Sequence, residues 1–590
     1  MSTVALEVKT VTCEINGIPV TVPEGTSIKK AAIEAGVKLP VLCYHPDLPA
    51  WAACGICVVK IEGSPKLLRA CATNVTDGMK VITHDSELHG IRRTVIQMIL
   101  STHPNDCLRC ARNGNCELQT LAADFGIRDV PFEQNVRELP EDTSTPSIVL
   151  NPEKCVACGR CVKVCQDMQD VWALEFIGRG DQTRMAPAGD ILLNDSPCIK
   201  CGQCSAHCPV GAIFENDETK KVLDALRDPT RHCVVQIAPA VRVALGEAFG
   251  LEPGTVVTGK IYAALRRLGF ETVFDTNFAA DLTIMEEGSE FLERFVHKKG
   301  PLPLITSCCP SWVDFMEKYY PEMIPNFSTA KSPQMMLGAL VNTFYAQKKG
   351  IDAKDIFHVS VMPCTSKKYE ISRAKEMFSS GTQDIDVSIT SRELARMIKS
   401  AGIDFLSLDD EEADPALGIY TGAGTIFGAS GGVMEAALRT AYYLVTGADA
   451  EKIEFTAVRG LEGVKEAAID IQGTEVRVAV AHSICNVEAV LNKVKEAEEN
   501  GDPLPYHFIE VMACRGGCIG GGGQPYGATD EIRQKRIKGI YSDDDMSKLR
   551  CSHHNPAVKA LYDEFLQKPL SEVSHKYLHT SYTARPIYQR

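Results

Sequence analysis

Cysteine spacing constrains this chain more than any other feature. There are 24 cysteines among 590 residues, and many of them recur at gaps of two or three residues. The start, MSTVALEVKT, has neither a basic segment leading into an apolar run nor a twin-arginine pair. No stretch of 18 or more apolar residues occurs anywhere, so the expected location is cytoplasmic. Disulfides are rare in that compartment, so thiols at fixed short intervals point to metal. The chain is too long for one core and predicts roughly three to five units. A net charge of −14 argues against a nucleic-acid partner, because phosphate binding needs clustered cations.

Two runs follow Cys-x2-Cys-x2-Cys-x3-Cys: Cys155, Cys158, Cys161, Cys165 and Cys198, Cys201, Cys204, Cys208, the second followed by Pro209. This is the two-cluster ferredoxin spacing, in which the fourth thiolate of each run ligates the other cluster. A pair of zinc sites fits less well, since zinc arms lack the triple run. Upstream, Cys43, Cys54, Cys57 and Cys71 have the order of a plant-type 2Fe-2S loop with a first gap of ten residues. His103, Cys107, Cys110 and Cys116 offer one imidazole and three thiolates, and spacing alone leaves a structural histidine equally open.

Around these groups, Asn16-Gly17 predicts a tight hairpin turn, and Thr26 or Ser27 caps a helix over 28–35 that ends at Gly36. The runs 138–147 and 216–230 look like connections. From His232 the pattern turns to α/β, with a strand at 234–238, helices at 241–249 and 260–268, and a strand at 271–274. Three later apolar runs each end in a thiol, at Cys308-Cys309, at Cys364 and at Cys514, which predicts one shared cleft at strand ends. Cys518 follows Cys514 inside a glycine-rich segment, Arg515 to Pro525, that lets backbone approach a bulky inorganic group. Four soft thiolates in one cleft suit a further iron–sulfur centre. Cys13, Cys233, Cys485 and Cys551 receive no metal role.

With Thr306-Ser307-Cys308-Cys309-Pro310, Met362-Pro363-Cys364-Thr365-Ser366-Lys367 and the Met512 to Pro525 segment, the chain resembles FeFe-hydrogenases over nearly its whole length. The resemblance implies an H-cluster, a 4Fe-4S cube joined to a di-iron unit with CO, cyanide and azadithiolate. Cys309, Cys364, Cys514 and Cys518 would hold the cube, and Cys518 would bridge. It also implies three accessory 4Fe-4S clusters and one 2Fe-2S cluster, with His103 as a ligand. Cys308, next to a ligand and not needed for the cube, would pass a proton to or from the bridging amine. Glu287, Glu290 and Ser328 resemble the relay outward, and Arg294 would set the exit charge. Without the resemblance the carboxylates would read as a solvated helix face, and Lys367, here offered to a cyanide ligand, as a surface lysine. Pro239, Gln334, Met362 and Met512 match pocket-lining positions. Ala240 and Arg515 depart from residues common in relatives.

The implied activity is reversible H2 oxidation and proton reduction. Similar front-end clusters occur in electron-relay subunits of respiratory NADH dehydrogenases, but the second half argues against that reading. Cys308, Lys367 and Glu287 argue against the non-enzymatic cluster-assembly relatives. Gly422-Ala423-Gly424 falls short of a dinucleotide fingerprint. The tail from Ser552 to Arg585 resembles catalytic subunits of NAD(P)-linked, electron-bifurcating hydrogenases, which implies a flavin-bearing partner subunit. A free-standing ferredoxin-dependent enzyme is the alternative. In this family dedicated maturation proteins supply the di-iron unit. The expected fold is multidomain α/β and α+β. It comprises a β-grasp 2Fe-2S ferredoxin domain (1–85), a small 4Fe-4S domain with one histidine and three cysteine ligands (86–145), a bacterial ferredoxin-like 2x4Fe-4S domain (146–225) and a two-lobed α/β H-cluster domain with its tail (226–590).

Overall fold

A computed structural model of the chain describes residues 9–471 and 473–589; the leader reading at residues 1–8 lies outside them. The opening hairpin joins Thr10–Ile15 to Ile18–Pro23, antiparallel, with Asn16 at φ 52° and Gly17 at φ 83°. Two positive φ angles in succession match the right-handed twist of the strands, and asparagine and glycine adopt them at least cost. Lys80–Ile82 returns parallel to the first strand, and Val58–Ile61 and Leu68–Arg69 complete a five-stranded mixed sheet. Ser27 caps helix Ile28–Glu34 by accepting from Lys30 N, which settles the choice with Thr26.

Helix Ser86–Ser101, capped by Asp85, leads to the next cysteines. Strands Ile148–Leu150 and Ile213–Glu215 then pair antiparallel and bracket both four-cysteine runs. The expected connection at 138–147 is not free. Asp142 exchanges backbone hydrogen bonds of 2.8 and 3.0 Å with Leu150, and its carboxylate accepts from Leu193 N. The second expected connection contains helix Thr219–Leu226, whose buried Val222 and Ala225 pack on the core of the second half. Its apolar residues recur at helical spacing, a signal masked by the surrounding charges.

Two four-stranded sheets build the second half. One has the order Thr272–Asp275, His232–Ile237, Ile356–Met362, Val387–Thr390, all parallel. The other runs Leu304–Ile305, Phe508–Met512, Thr474–His482, with Val464–Ile471 as an antiparallel edge. The helix expected over 241–249 is instead two short 3-10 turns, Pro239–Val241 and Leu245–Phe249. The carbonyls of Arg242 and Val243 are spent on Val257 N and Gly254 N, both at 3.0 Å, so α-helical bonding cannot continue through them.

The ferredoxin-like module is fixed against the second half. Arg392–Glu215 at 2.7 Å and Lys200–Asp314 at 2.9 Å are buried ion pairs across the junction. Gln203 donates to Gly520 O at 3.0 Å. A Cβ on Gly522 would lie 2.4 Å from Cys201 O, and one on Gly202 would lie 2.3 Å from Thr365 Oγ1, so the bare backbone of each glycine packs directly on the opposite module. Such closeness excludes any side chain at either glycine.

Candidate active site

The C-terminal ends of both sheets face one cavity. Ile356–Met362 delivers Cys364 from the first sheet, while Leu304–Ile305 and Phe508–Met512 deliver Cys308, Cys309 and Cys514 from the second. Cys518 opens the 3-10 turn Cys518–Gly520 and closes the ring. All five cysteines line the cavity together with Pro239, Ala240, Gln334, Met362, Lys367 and Met512. The cleft expected at strand ends therefore lies between two sheets. Thr276, Ala280, Phe427, Gly517 and Gly521 also line it, and sequence reasoning did not single them out. A Cβ on Gly521 would sit 2.2 Å from Pro363 O and one on Gly517 2.6 Å from Ser430 N, so glycine is required for the walls to close this tightly.

The donor set fits an iron–sulfur cube. Burial pushes the Cys364 thiol up to about 12, and those of Cys309, Cys514 and Cys518 also rise. Thiols in such a dry pocket stay protonated until a cationic group displaces their protons.

Lys367 Nζ donates to Glu370 Oε2 at 2.7 Å and to Cys308 O at 3.1 Å. Glu370 also accepts from Ser332 and from Gln334 Nε2, each at 3.0 Å. Lys367 is thus a buried cation at the pocket wall. Its partner Glu370, three residues on, went unassigned although the spacing places both on one helical face. Arg515 points away from the cavity and pairs with Asp530 at 2.6 Å.

Helix Thr276–Phe295 carries Glu287 and Glu290, only 2% and 8% exposed, so no solvated face is involved. Ser328 lies beside both, its hydroxyl donating to Glu290 Oε2 at 3.3 Å and neighbouring Glu287. Burial raises the Glu287 carboxyl to about 8, opposed by the Ser328 hydroxyl and reinforced by Glu290. Burial also pushes the Cys308 thiol well up, with Glu287 and the Cys518 and Cys309 thiols adding to it. Arg294 binds Glu290 at 2.5 Å and donates to the carbonyls of Pro301, Pro325, Asn326 and Phe327. It is buried inside the wall and does not stand at a surface exit. A second contact was missed: Thr329 Oγ1 is 3.2 Å from Glu290 Oε2 and 2.8 Å from His579 Nδ1, whose Nε2 is 3.2 Å from Glu286. No sequence signal links residues 250 positions apart.

Neutral Glu287 has a consequence for stability. Between its ordinary value of 4.5 and about 8 the folded chain holds a proton that the unfolded chain has lost. This contribution is full below 4.5 and disappears as pH rises through 8. Glu287→Gln is expected to flatten the fall in Tm between about pH 5 and 8.5; a fall as steep as the parent's would contradict the assignment.

The accessory thiols also gather. Cys43 lies beside Cys54 and Cys71, and Cys57 beside Cys71. Cys155, Cys158 and Cys161 share a recess with Cys208, and Cys198, Cys201 and Cys204 share another with Cys165. His103, Cys107 and Cys116 line a further recess. Cys110 is not in that lining; its Sγ faces Gly211, where a Cβ would come within 2.4 Å. Burial lowers His103 to about 4, and its Nδ1 has no hydrogen-bond partner among the described residues. A neutral ring with a free nitrogen is available to a metal.

Comparison with known proteins agrees with this layout. Residues 231–522 match the iron only hydrogenase large subunit, C-terminal domain, and 530–585 the iron hydrogenase small subunit. Residues 8–86 match a 2Fe-2S iron-sulfur cluster binding domain. Residues 92–131 match the NADH-ubiquinone oxidoreductase-G iron-sulfur binding region, and 147–209 a 4Fe-4S dicluster domain. The chain is 48% identical over 586 residues to NADP-reducing hydrogenase subunit HndD of Solidesulfovibrio fructosivorans, covering 97% of this chain and 99% of that one. The chain belongs to the iron-only hydrogenase family. This hydrogenase is also 41% identical over 578 residues to iron hydrogenase 1 of Clostridium pasteurianum, covering 96% and 99% of the two chains. A solved variant of apo [FeFe]-hydrogenase HydA1 from Chlamydomonas reinhardtii superposes with a TM-score of 0.56 at 42% identity, covering 63% of this chain and 100% of that one. The protein is an oxidoreductase acting on H2, with an H-cluster domain and 2Fe-2S and 4Fe-4S modules that transfer electrons. Among the described residues no helix is long and apolar enough to cross a membrane.

Proposed function

We propose that Cys309, Cys364, Cys514 and Cys518 hold the cube of the H-cluster and that Cys308 is the first protein group to take or give the proton. The H-cluster supplies the redox-active iron at which dihydrogen is split or formed. Lys367 would offer its ammonium to a cyanide ligand, while Pro239, Gln334, Met362 and Met512 exclude water from the pocket. The observation that carries this reading is the convergence of four ligand thiols and one spare thiol from two sheets on one cavity.

Protons move from Cys308 Sγ to Glu287, then through the Ser328 hydroxyl to Glu290. Ser328 Oγ gives its single hydrogen to Glu290 as it takes one from protonated Glu287, and rotation of the hydroxyl then restores the starting arrangement. Arg294 fixes the outer carboxylate. Cys155, Cys158, Cys161 with Cys208 and Cys198, Cys201, Cys204 with Cys165 would hold the two clusters of the ferredoxin-like module, and His103, Cys107, Cys110, Cys116 and Cys43, Cys54, Cys57, Cys71 would hold the other two, which together would supply a path for electrons. The modules divide at residues 1–85, 86–145, 146–225 and 226–590.

The NADP-reducing relative and the tail at 530–585 support a cytoplasmic catalytic subunit that works with an NAD(P)-linked flavin and iron–sulfur partner, exchanges electrons with ferredoxin by bifurcation, and receives its di-iron unit from maturation proteins. Infrared spectra of the matured enzyme test the site: bands of iron-bound CO and cyanide are expected, and their absence would end the enzymatic reading. Native mass of the complex from its own host tests the partner, and recovery as a lone chain would favour the ferredoxin-dependent alternative.

A further inference from the structure

Four metal-binding side chains gather outside every iron–sulfur set. One donor atom each of Asp449, Cys551, His553 and His554 lies within 4.8 Å of all the others. Asp449 follows the end of helix Gly432–Thr446, and the other three belong to or flank the 3-10 turn Ser552–His554. Cys551 and His553 are buried at 4% and 2% exposure, while the Asp449 side chain is 45% exposed and leaves a route in for an ion.

The geometry around His553 resembles that of a ligand. Its Nδ1 is 3.1 Å from Thr440 Oγ1, and its ring stacks on Tyr443 with centroids 4.0 Å apart. A hydroxyl on one ring nitrogen and an aromatic face against the ring commit Nε2 to the cluster, as an outer partner does for a metal-bound histidine. Nε2 of His553 is 2.8 Å from Asp449 Oδ1, and Nε2 of His554 is 3.5 Å from Oδ2. Two imidazoles 4.3 Å apart thus converge on one carboxylate beside a thiol. Protonating both rings would set two like charges together, whereas one divalent cation satisfies all four donors at once. A thiolate and a carboxylate also cancel its charge.

We propose that Asp449, Cys551, His553 and His554 form a tetrahedral structural zinc site independent of the iron–sulfur clusters. Zinc takes sulfur at about 2.3 Å and nitrogen or oxygen at about 2.0–2.2 Å, which places tetrahedral donors roughly 3.3–3.8 Å apart. The more distant donors reach that spacing by drawing in about an ångström, while the His553–Asp449 pair, now 2.8 Å apart, opens by about half of one. Burial holds the Cys551 thiol up to about 11, opposed by Arg439 and Arg550 and reinforced by Asp449 and Asp544, so a metal bound there would replace a proton. The sequence had left Cys551 without a metal role because its partners lie at adjoining positions and about a hundred residues upstream, with no Cys-x2-Cys pair to announce them.

The site also has a place in the architecture. Asp449 lies in the stretch matched to the large subunit and Cys551 to His554 in the stretch matched to the small subunit, so the ion ties one to the other. Next to it Ser552 and Asn555 donate to Asp281 at 2.8 and 2.9 Å, on the helix that bears Glu287 and Glu290.

The test uses the full hydrogenase, produced with zinc in the medium, dialysed against EDTA, and assayed for metals by mass spectrometry and for zinc ligation by X-ray absorption. About one zinc per chain, with one sulfur and the rest nitrogen or oxygen, is expected. Cys551→Ser and Asp449→Asn should each lower zinc about fivefold or more with iron per chain unchanged. Asp449 is exposed enough that its variant carries the test if Cys551→Ser misfolds. Wild-type zinc below about a tenth per chain, four-sulfur ligation from misloaded cluster sites, or zinc retained in the variants would each overturn the proposal.

Discussion

Cys308→Ala should lower H2 turnover about 100- to 10,000-fold, the range in which a positioned acid–base group acts. Iron per chain and the infrared bands of the matured enzyme should stay as in the parent. Cys308 lines the cavity beside the proposed ligand Cys309, and the buried carboxyl of Glu287 is close enough to raise its thiol. Removing the thiol leaves every cluster ligand in place and breaks the link between the pocket and the carboxyl pair described above. Film voltammetry on an electrode separates this from slow electron supply, because the loss should persist when electrons are in excess. Turnover within about tenfold of the parent would show that protons bypass the thiol.

Lys367→Met should destabilise the second half by about 3–5 kcal/mol, because it strands Glu370 as an uncompensated buried carboxylate. Lys367 and Glu370 are 9% and 4% exposed, and the lysine supplies the only cation among the hydrogen bonds that Glu370 Oε2 accepts from the described residues. Adding Glu370→Gln should recover most of the lost Tm, since replacing both partners removes the unpaired charge. The double variant separates two roles of one ammonium. Stability returns, yet the di-iron unit should still be lost or disordered in the infrared spectrum if Lys367 also holds a cyanide. A double variant with parental bands and turnover would confine Lys367 to its pair with Glu370.

How much of this was legible in the sequence depended on distance along the chain. The ferredoxin runs are local, and their crossed recesses, with Cys208 among the first set and Cys165 among the second, follow from spacing alone. The cavity needed a longer inference from strand ends, which pointed to a shared cleft but not to two sheets supplying it. Helix Thr219–Leu226 was hidden by its charged face, and the helix expected at 241–249 failed because later backbone donors captured its carbonyls. Arg294 read as an exit charge because its four carbonyl partners, at Pro301 and from Pro325 to Phe327 around the end of the 3-10 helix Pro321–Asn326, carry no side-chain signal of the contact. The link from Glu290 through Thr329 to His579 joins the relay helix to the tail, and only tertiary structure brings it together.

The backbone of Gly202 meets the Thr365 side chain, and that of Gly522 meets Cys201 O, where the ferredoxin-like module docks on the second half. A methyl group added at either glycine would wedge this seam open. Any electron crossing the seam would then travel farther, although neither position carries a side chain or chemistry of its own.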